Sequence, residues 1–360
     1  MATLTLGDFS DALSQVFGPN IISQINLLAI GLNLIPTVPG AGKNAAWTAK
    51  LTGRTNAAGY VEGADMADVD FDSEKREDAV LAWAEYRKGA KVSGLAQAAA
   101  ASNLQPGSVL SEGLGDLFSD EVTDAIERLA LGMGTNLYNG TGGGADPMIG
   151  LETAVAAAGV YAGIDPGVDP EWASTVQSIP TGDLSFSKLR AFITAIYKAS
   201  GRRPDLLLTD PDTFDKIGDL YGDGRRWMES LNLSNGTGGR REIKLVGGYR
   251  MLEFDGIGIA QDNLATTDAI WGLNTRFIQI KQLSSYKSPM TLERFLAIVE
   301  AITGERLPME NMGEMTAAPG QLVPYVEMLG KLGDSDRAQI KCYSQLCINR
   351  RNAHGRLNLV

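Results

Sequence analysis

Residues 116–139, DLFSDEVTDAIERLALGMGTNLYN, are the stretch on which the fold turns. Val122, Ile126, Leu129, Met133 and Leu137 recur at steps of three and four after Leu117, so an α-helix would carry one apolar stripe. Ser119, Asp120 and Glu121 load its first turn with acceptors and negative charge, which the unpaired N–H groups there favour. Gly132 and Gly134 weaken helix propensity without ending the pattern. Asn139-Gly140, the glycines through Gly144 and then Pro147 end it.

Downstream, residues 148–285 read as α/β. Residues 184–200 form an amphipathic helix with Leu189, Phe192, Ile193, Ile196 and Tyr197 on one side. DLLLT at 205–209 is a short buried strand, and 211–221 starts a helix with Pro and Asp in its first turn. Residues 250–260 and 269–283 are strand-rich, split by the turn Gln261-Asp262-Asn263. LERFLAIVEAIT at 292–303 fits both helix and strand, 337–350 alternates as a strand, and the last ten residues, RNAHGRLNLV, read as a tail.

Upstream, residues 1–42 are an arm whose short apolar runs are broken by Pro19, Pro36, Pro39 and several glycines. Residues 45–64, and then 74–94 beyond an acidic break at Asp65, Asp68, Asp70 and Asp72, read as a two-stranded ribbon. An isolated ribbon is marginally stable, so it needs a partner surface.

The totals narrow the function. The chain has 360 residues, 44% apolar and 21% charged, which suits a folded protein and not a disordered one. A net charge of -11 argues against specific nucleic-acid binding as the main task. Cys342 and Cys347 suit reduced structural thiols, because odd spacing on one strand sends them to opposite faces. No signal peptide and no unbroken apolar run of membrane length is visible.

Catalytic and metal patterns fail one by one. The single histidine, His354, lies in the expected tail, a poor mount for a general base. Ser185 to Lys188 fits S-x-x-K without its companion motifs, and no G-x-S-x-G elbow exists. Gly40-Ala41-Gly42-Lys43 has Thr37 where a P-loop needs its first glycine and Asn44 where it needs a hydroxyl. Asp68, Asp70 and Asp72 open like a calcium loop, but Ser73 and Ala79 replace the required Gly and Glu. No catalytic residue, metal site or cofactor is assigned.

The order of several short segments resembles the tailed-bacteriophage major capsid family. Residues 123–139 followed by Gly140 look like that family's spine helix, and Gly150-Leu151-Glu152 like the passage into its next domain. Tyr161-Ala162-Gly163-Ile164-Asp165 with Pro170-Glu171-Trp172-Ala173-Ser174 is the most telling part, followed by residues 203–209 and Phe254-Asp255-Gly256-Ile257. The resemblance implies an α+β capsid-shell fold. Its parts would be an N-terminal arm (1–44), an extended β-hairpin loop (45–92), a peripheral domain with a long spine helix and long sheet (93–147), an axial α/β domain (148–285), and peripheral return strands with a C-terminal tail (286–360). It implies a homo-oligomer whose pentameric and hexameric capsomers form an icosahedral shell around double-stranded DNA, assembled in the host bacterial cytoplasm. Partners would be portal and possible decoration proteins. No long charged helical segment precedes the arm, which implies a separate scaffolding protein. Lys50, Lys88, Lys91 and Asn352 are compatible with a covalent cross-link, but non-covalent locking is the simpler expectation. An encapsulin-like nanocompartment shell and an α/β enzyme with an unrecognised site are the alternatives.

Candidate intersubunit contacts are the aromatic anchors Trp47, Tyr60, Trp83 and Tyr86 and the doublets Arg225-Arg226 and Arg240-Arg241. Candidate genome-facing residues are Arg350, Arg351 and Arg356.

Overall fold

The computed structural model describes residues 29–51, 75–96, 117–222, 230–234, 240–244, 251–283, 325–329 and 333–360. The expected element at 292–303, residues 52–74 of the ribbon, Tyr60 and the Arg225-Arg226 doublet lie outside the described residues.

In chain order the elements are α1 (Ile30–Leu34), β1 (Thr37–Gly40), β2 (Ala45–Lys50), β3 (Arg76–Leu81), β4 (Ala84–Ser93), α2 (Leu117–Asn139), β5 (Thr141–Gly143), β6 (Asp146–Ile149) and α3 (Leu151–Ala154). They continue with β7 (Thr175–Ile179), α4 (Phe186–Ser200), β8 (Leu206–Thr209), α5 (Pro211–Leu220), β9 (Ser230–Ser234), β10 (Arg240–Lys244), β11 (Met251–Phe254) and β12 (Ile257–Gln261). The last are β13 (Ala269–Leu273), β14 (Ile278–Leu283), β15 (Tyr325–Leu329), β16 (Ser335–Ile348) and β17 (Gly355–Leu359).

The long helix α2 stops at Asn139, where the sequence places its end. Val122, Ala125, Leu129, Met133 and Leu137 form its buried stripe. That stripe packs beside β4 and β16, and Asn136 Nδ2 donates to Tyr86 Oη on β4 at 3.2 Å. β16 is 14 residues long and alternates. Ala338, Ile340 and Cys342 are buried, while Arg337, Gln339, Lys341 and Tyr343 are half-buried. β4 pairs along ten of its positions, from Ser335↔Ser93 to Ser344↔Ala84. β15 and β14 pair along its other side, and β1 adds in parallel to β14.

The second sheet runs β11-β12-β8-β13-β17-β7. It is covered on both faces, which explains the continuously apolar runs LLLT and AIWGL. Leu207, Ile259, Ile270 and Leu357 meet Leu189, Phe192, Ile193 and Ile196 of α4. A Cβ on Gly355 would lie 2.8 Å from Ile196 Cδ1, so the absent side chain lets α4 settle on the sheet. The opposite face, with Leu206, Leu208 and Trp271, joins a core shared with Leu137, Ile278, Ile340 and Leu346. One core thus spans both sheets.

Helix ends follow their caps. Ser185 Oγ accepts from Lys188 N–H and Gly201 closes α4 at φ +68°. The S-x-x-K match is therefore a cap. Asp210 caps α5 ahead of Pro211.

Three expectations need correction. The ribbon across 45–92 ends at Leu81: among the described residues β2 and β3 pair only with each other, while β4 belongs to the long sheet. The tail is no tail, because β17 is an interior strand between β13 and β7. The stretch 269–283 is strand-rich as expected, with β13 in one sheet and β14 in the other. Tyr197 is 50% exposed, so the apolar face of α4 stops at Ile196.

Candidate assembly surfaces

The aromatic anchors spend much of their surface on their own chain. Trp83 follows Leu81 at the junction of ribbon and sheet. Its indole Nε1 donates to Gly42 O at 3.1 Å. A Cβ at Gly40 would sit 2.3 Å from its ring, so Trp83 clamps the link between β1 and β2. Trp47, half-buried on β2, lies 6.3 Å from the Tyr161 ring between centroids, with Lys281 Nζ 5.4 Å from its own centroid. Tyr86 is half-buried against α2, and burial pushes its phenol up to about 12. Arg240 and Arg241 lie on β10, opposite Ser234 and Leu233 of β9.

The ribbon is also moored to the turn at 160–169. Val80 N–H donates to Ala162 O at 3.0 Å, and Lys75 Nζ pairs with Asp169 at 2.5 Å. Ala162 sits at φ +55°, a left-handed residue held by the tight bridge between Tyr161 and Ile164. Tyr161 Oη donates to Leu346 O at 3.0 Å and accepts from Ile348 N–H at 3.1 Å. Trp172 stacks on the same ring at 6.3 Å. The tyrosine and tryptophan singled out in the sequence are thus the floor on which the ribbon root stands.

The three arginines read as genome-facing have different surroundings. Arg351 is fully buried, which corrects that reading. Its Nε donates to Ala154 O at 2.8 Å, Nη1 to Gly159 O at 3.0 Å, and Nη2 to Thr153 O at 3.0 Å. The guanidinium lies 5.6 Å from the Tyr161 ring centroid, and burial pulls its pKa down to about 10. Backbone carbonyls, invisible as a motif, take the charge that a phosphate was expected to take. Arg356 pairs with Glu152 at 3.0 Å and lies 5.0 Å from the Trp271 ring centroid. Arg350 lies 5.7 Å from the Phe277 ring centroid and remains half-exposed.

Both cysteines are free and buried, and burial raises each thiol to about 12. Among the described residues no cluster of three metal-ligating side chains occurs, and no helix is long and apolar enough to cross a membrane.

Among solved structures, the chain resembles the Cyanophage A-1(L) capsid asymmetric unit with a TM-score of 0.66 at 15% identity, covering 99% of both chains. A Mycobacterium phage Bobi chain is similar at TM-score 0.54 and 10% identity, over 100% of this chain and 99% of that one. The SrpI encapsulin from Synechococcus elongatus PCC 7942 is similar at 0.52 and 12%, over 99% and 96%. No curated protein matches the sequence. Two sheets on one core, a long helix along the longer sheet and a ribbon at its corner define a tailed-phage capsid-shell fold. The family model of the SU10 major capsid protein matches residues 33–286, and the chain belongs to that family. It is a subunit of a virion shell.

Proposed function

We propose that this subunit builds pentameric and hexameric capsomers of an icosahedral shell that encloses double-stranded phage DNA. Assembly takes place in the host cytoplasm with a separate scaffolding protein, and a portal and decoration proteins complete the particle. The role is structural, with no catalytic step and no cofactor. The observation that carries this reading is the family match across residues 33–286. Contact with DNA is weak, salt-sensitive and indifferent to sequence, as a net charge of -11 requires. Arg350, half-exposed, is the remaining C-terminal candidate for it.

Negative-stain imaging of the purified chain, with scaffold supplied, tests the reading. Closed shells that take up DNA when portal and packaging components are present support it. A chain that stays monomeric under all salt and scaffold conditions refutes it. Shells that take up an enzyme and exclude DNA favour the encapsulin alternative.

A further inference from the structure

The six-stranded sheet gathers positive charge at one end. Leu206 of β8 faces Leu273 of β13, Gly272 of β13 faces Gly355 of β17, and Gly355 faces Thr175 of β7. The segments beside these pairs, 200–205, 274–277 and 349–354, therefore lie together, and they carry Arg202, Arg203, Arg276 and Arg350. Hydrogen bonds join the segments into one platform. Asn274 N–H donates to His354 Nδ1 at 3.2 Å, its Nδ2 donates to Arg203 O at 2.8 Å, and its Oδ1 accepts from Arg276 N–H at 3.2 Å. Asn349 N–H donates to Phe277 O at 2.8 Å. The guanidinium carbons of Arg276 and Arg350 lie 5.9 and 5.7 Å from the centroid of the same Phe277 ring. Arg350 Nε also donates to Asn352 Oδ1 at 3.2 Å, and Asn352 Nδ2 donates to Ala199 O at 3.3 Å, which fixes this fork against the end of α4.

The carboxylates at this end do not balance the arginines. Asp205 accepts from Thr275 N–H at 2.8 Å and from the Thr275 hydroxyl at 2.6 Å, and burial raises its pKa. Asp255 is bonded by Arg190 at 3.0 Å; chiefly that bond, with the charge of Arg203 adding to it, lowers its pKa. Among the described residues no carboxylate forms an ion pair with Arg202, Arg276 or Arg350. Arg202, Arg203 and Arg276 are exposed and Arg350 is half-exposed. Guanidinium groups held against one ring repel each other, and an anion between them replaces repulsion by attraction. The other end of the same sheet carries Asp210, Asp262 and Asp268, with Lys216 bonded to Asp268 at 2.7 Å, so the positive excess is local.

We propose that Arg202, Arg203, Arg276 and Arg350, at this end of the sheet, form a binding site for the backbone phosphates of the enclosed DNA. Arginine forks match phosphate oxygens two at a time. Duplex DNA carries one negative charge per ~1.7 Å of its axis, so a single stretch of backbone engages several forks at once. On a chain of net charge -11 most of the surface repels a polyanion, which leaves a local basic platform as the place of contact. The identity of the polyanion rests on the shell function; the site itself is read on the subunit before any shell forms.

The test measures binding of a random-sequence DNA duplex to the full-length subunit by fluorescence anisotropy, as a function of salt. Arg276→Gln with Arg350→Gln should lower affinity at low salt about tenfold or more and reduce the slope of log affinity against log salt by about two. Arg202→Gln with Arg203→Gln should act in the same way. Arg276→Lys with Arg350→Lys should keep the slope while weakening binding, because it keeps the charges and removes the forks; it also carries the test if unfolding midpoints show that the glutamine variants do not fold. Arg128→Gln with Lys43→Gln takes the same charge from α2 and the β1–β2 link, and should leave affinity and slope unchanged. An equal loss in that pair overturns the site in favour of net charge alone. An unchanged slope in both arginine-to-glutamine pairs overturns it outright. Arginine variants that bind the duplex normally yet form no shells overturn it in favour of an acidic face of a second copy. Unmodified subunits that bind the duplex through these arginines but never assemble refute the shell reading and support the site.

Discussion

Two side chains show how much the interior asks of single residues. Arg351 is held by carbonyls of the 153–159 turn and lies against Tyr161, so its charge is satisfied by backbone alone. Lysine is no substitute, because one ammonium cannot present the planar fork that reaches three separated carbonyls. Arg351→Lys should cost about 3 kcal/mol or more in urea unfolding, whereas Arg350→Gln should fall within about 1 kcal/mol. Equal, small costs would mean that the carbonyl cage contributes little. His354 is buried, its Nδ1 accepting from Asn274 N–H at 3.2 Å, and burial lowers its pKa to about 3. Its unfolded value is ordinary, so between about 6.5 and about 3 the unfolded chain binds the extra proton and stability falls with falling pH. The slope from this one group is at most about 1.4 kcal/mol per pH unit. Unfolding midpoints measured from pH 7 to pH 4 should fall less steeply in His354→Gln than in the unmodified chain. An unchanged slope would remove His354 from the acid response.

Elements were legible where one physical signal dominated. The periodic stripe of α2 and its glycine-rich stop, the apolar run of β8 and the Pro-Asp start of α5 each declare themselves locally, whereas Ser185, the cap of α4, reads in sequence only as part of an S-x-x-K match. The break between β3 and β4 does not, because Ala82 and Trp83 carry no turn signal; Trp83 is placed by its contact with Gly40 and Gly42, 41 residues back in the bond to Gly42. The docking of α1 is equally silent in sequence. Gly31 N–H and Tyr138 Oη both donate to Asp262 Oδ2 at 2.7 Å, and this buried carboxylate ties α1, α2 and the β12–β13 turn together. A Cβ on Gly31 would lie 2.5 Å from Tyr138 Oη and 2.9 Å from Asp262 Oδ2. Gly31→Ala should therefore destabilise by about 2 kcal/mol through displacement of that joint. Gly132→Ala is the contrast: open space surrounds it on α2, and it should stabilise by up to about 1 kcal/mol. Thermal or urea unfolding of the two variants should give opposite signs, and equal signs would count against the tight joint at Asp262.

At the scale of the whole molecule, the chain closes on itself through its last residues. RNAHGRLNLV has tail-like composition, yet Leu357 and Leu359 alternate with Arg356 and Asn358 as a strand between two others. Neither neighbour is near in sequence, so no local reading places them: β7 begins at Thr175 and β13 at Ala269. Leu357 is fully buried and Leu359 nearly so. Val360 N–H donates to Ile179 O at 2.9 Å, and Thr181 N–H donates to Val360 O at 3.1 Å, which finishes the edge. Removing residues 355–360 would leave β13 with a bare edge and β7 with no partner strand. It would also strip two leucines from the core under α4, at about 3 kcal/mol or more each by analogy with buried leucine truncations. That loss is comparable with the whole stability of a typical domain. The truncated chain should therefore be insoluble, or should lack a cooperative unfolding transition, before assembly is ever reached. Val360→Asp tests the terminus without the strand: its side chain is 81% exposed, so stability should stay within about 0.5 kcal/mol and shells should form. A truncated chain with an unchanged unfolding midpoint would show that the second sheet does not depend on its C-terminal strand.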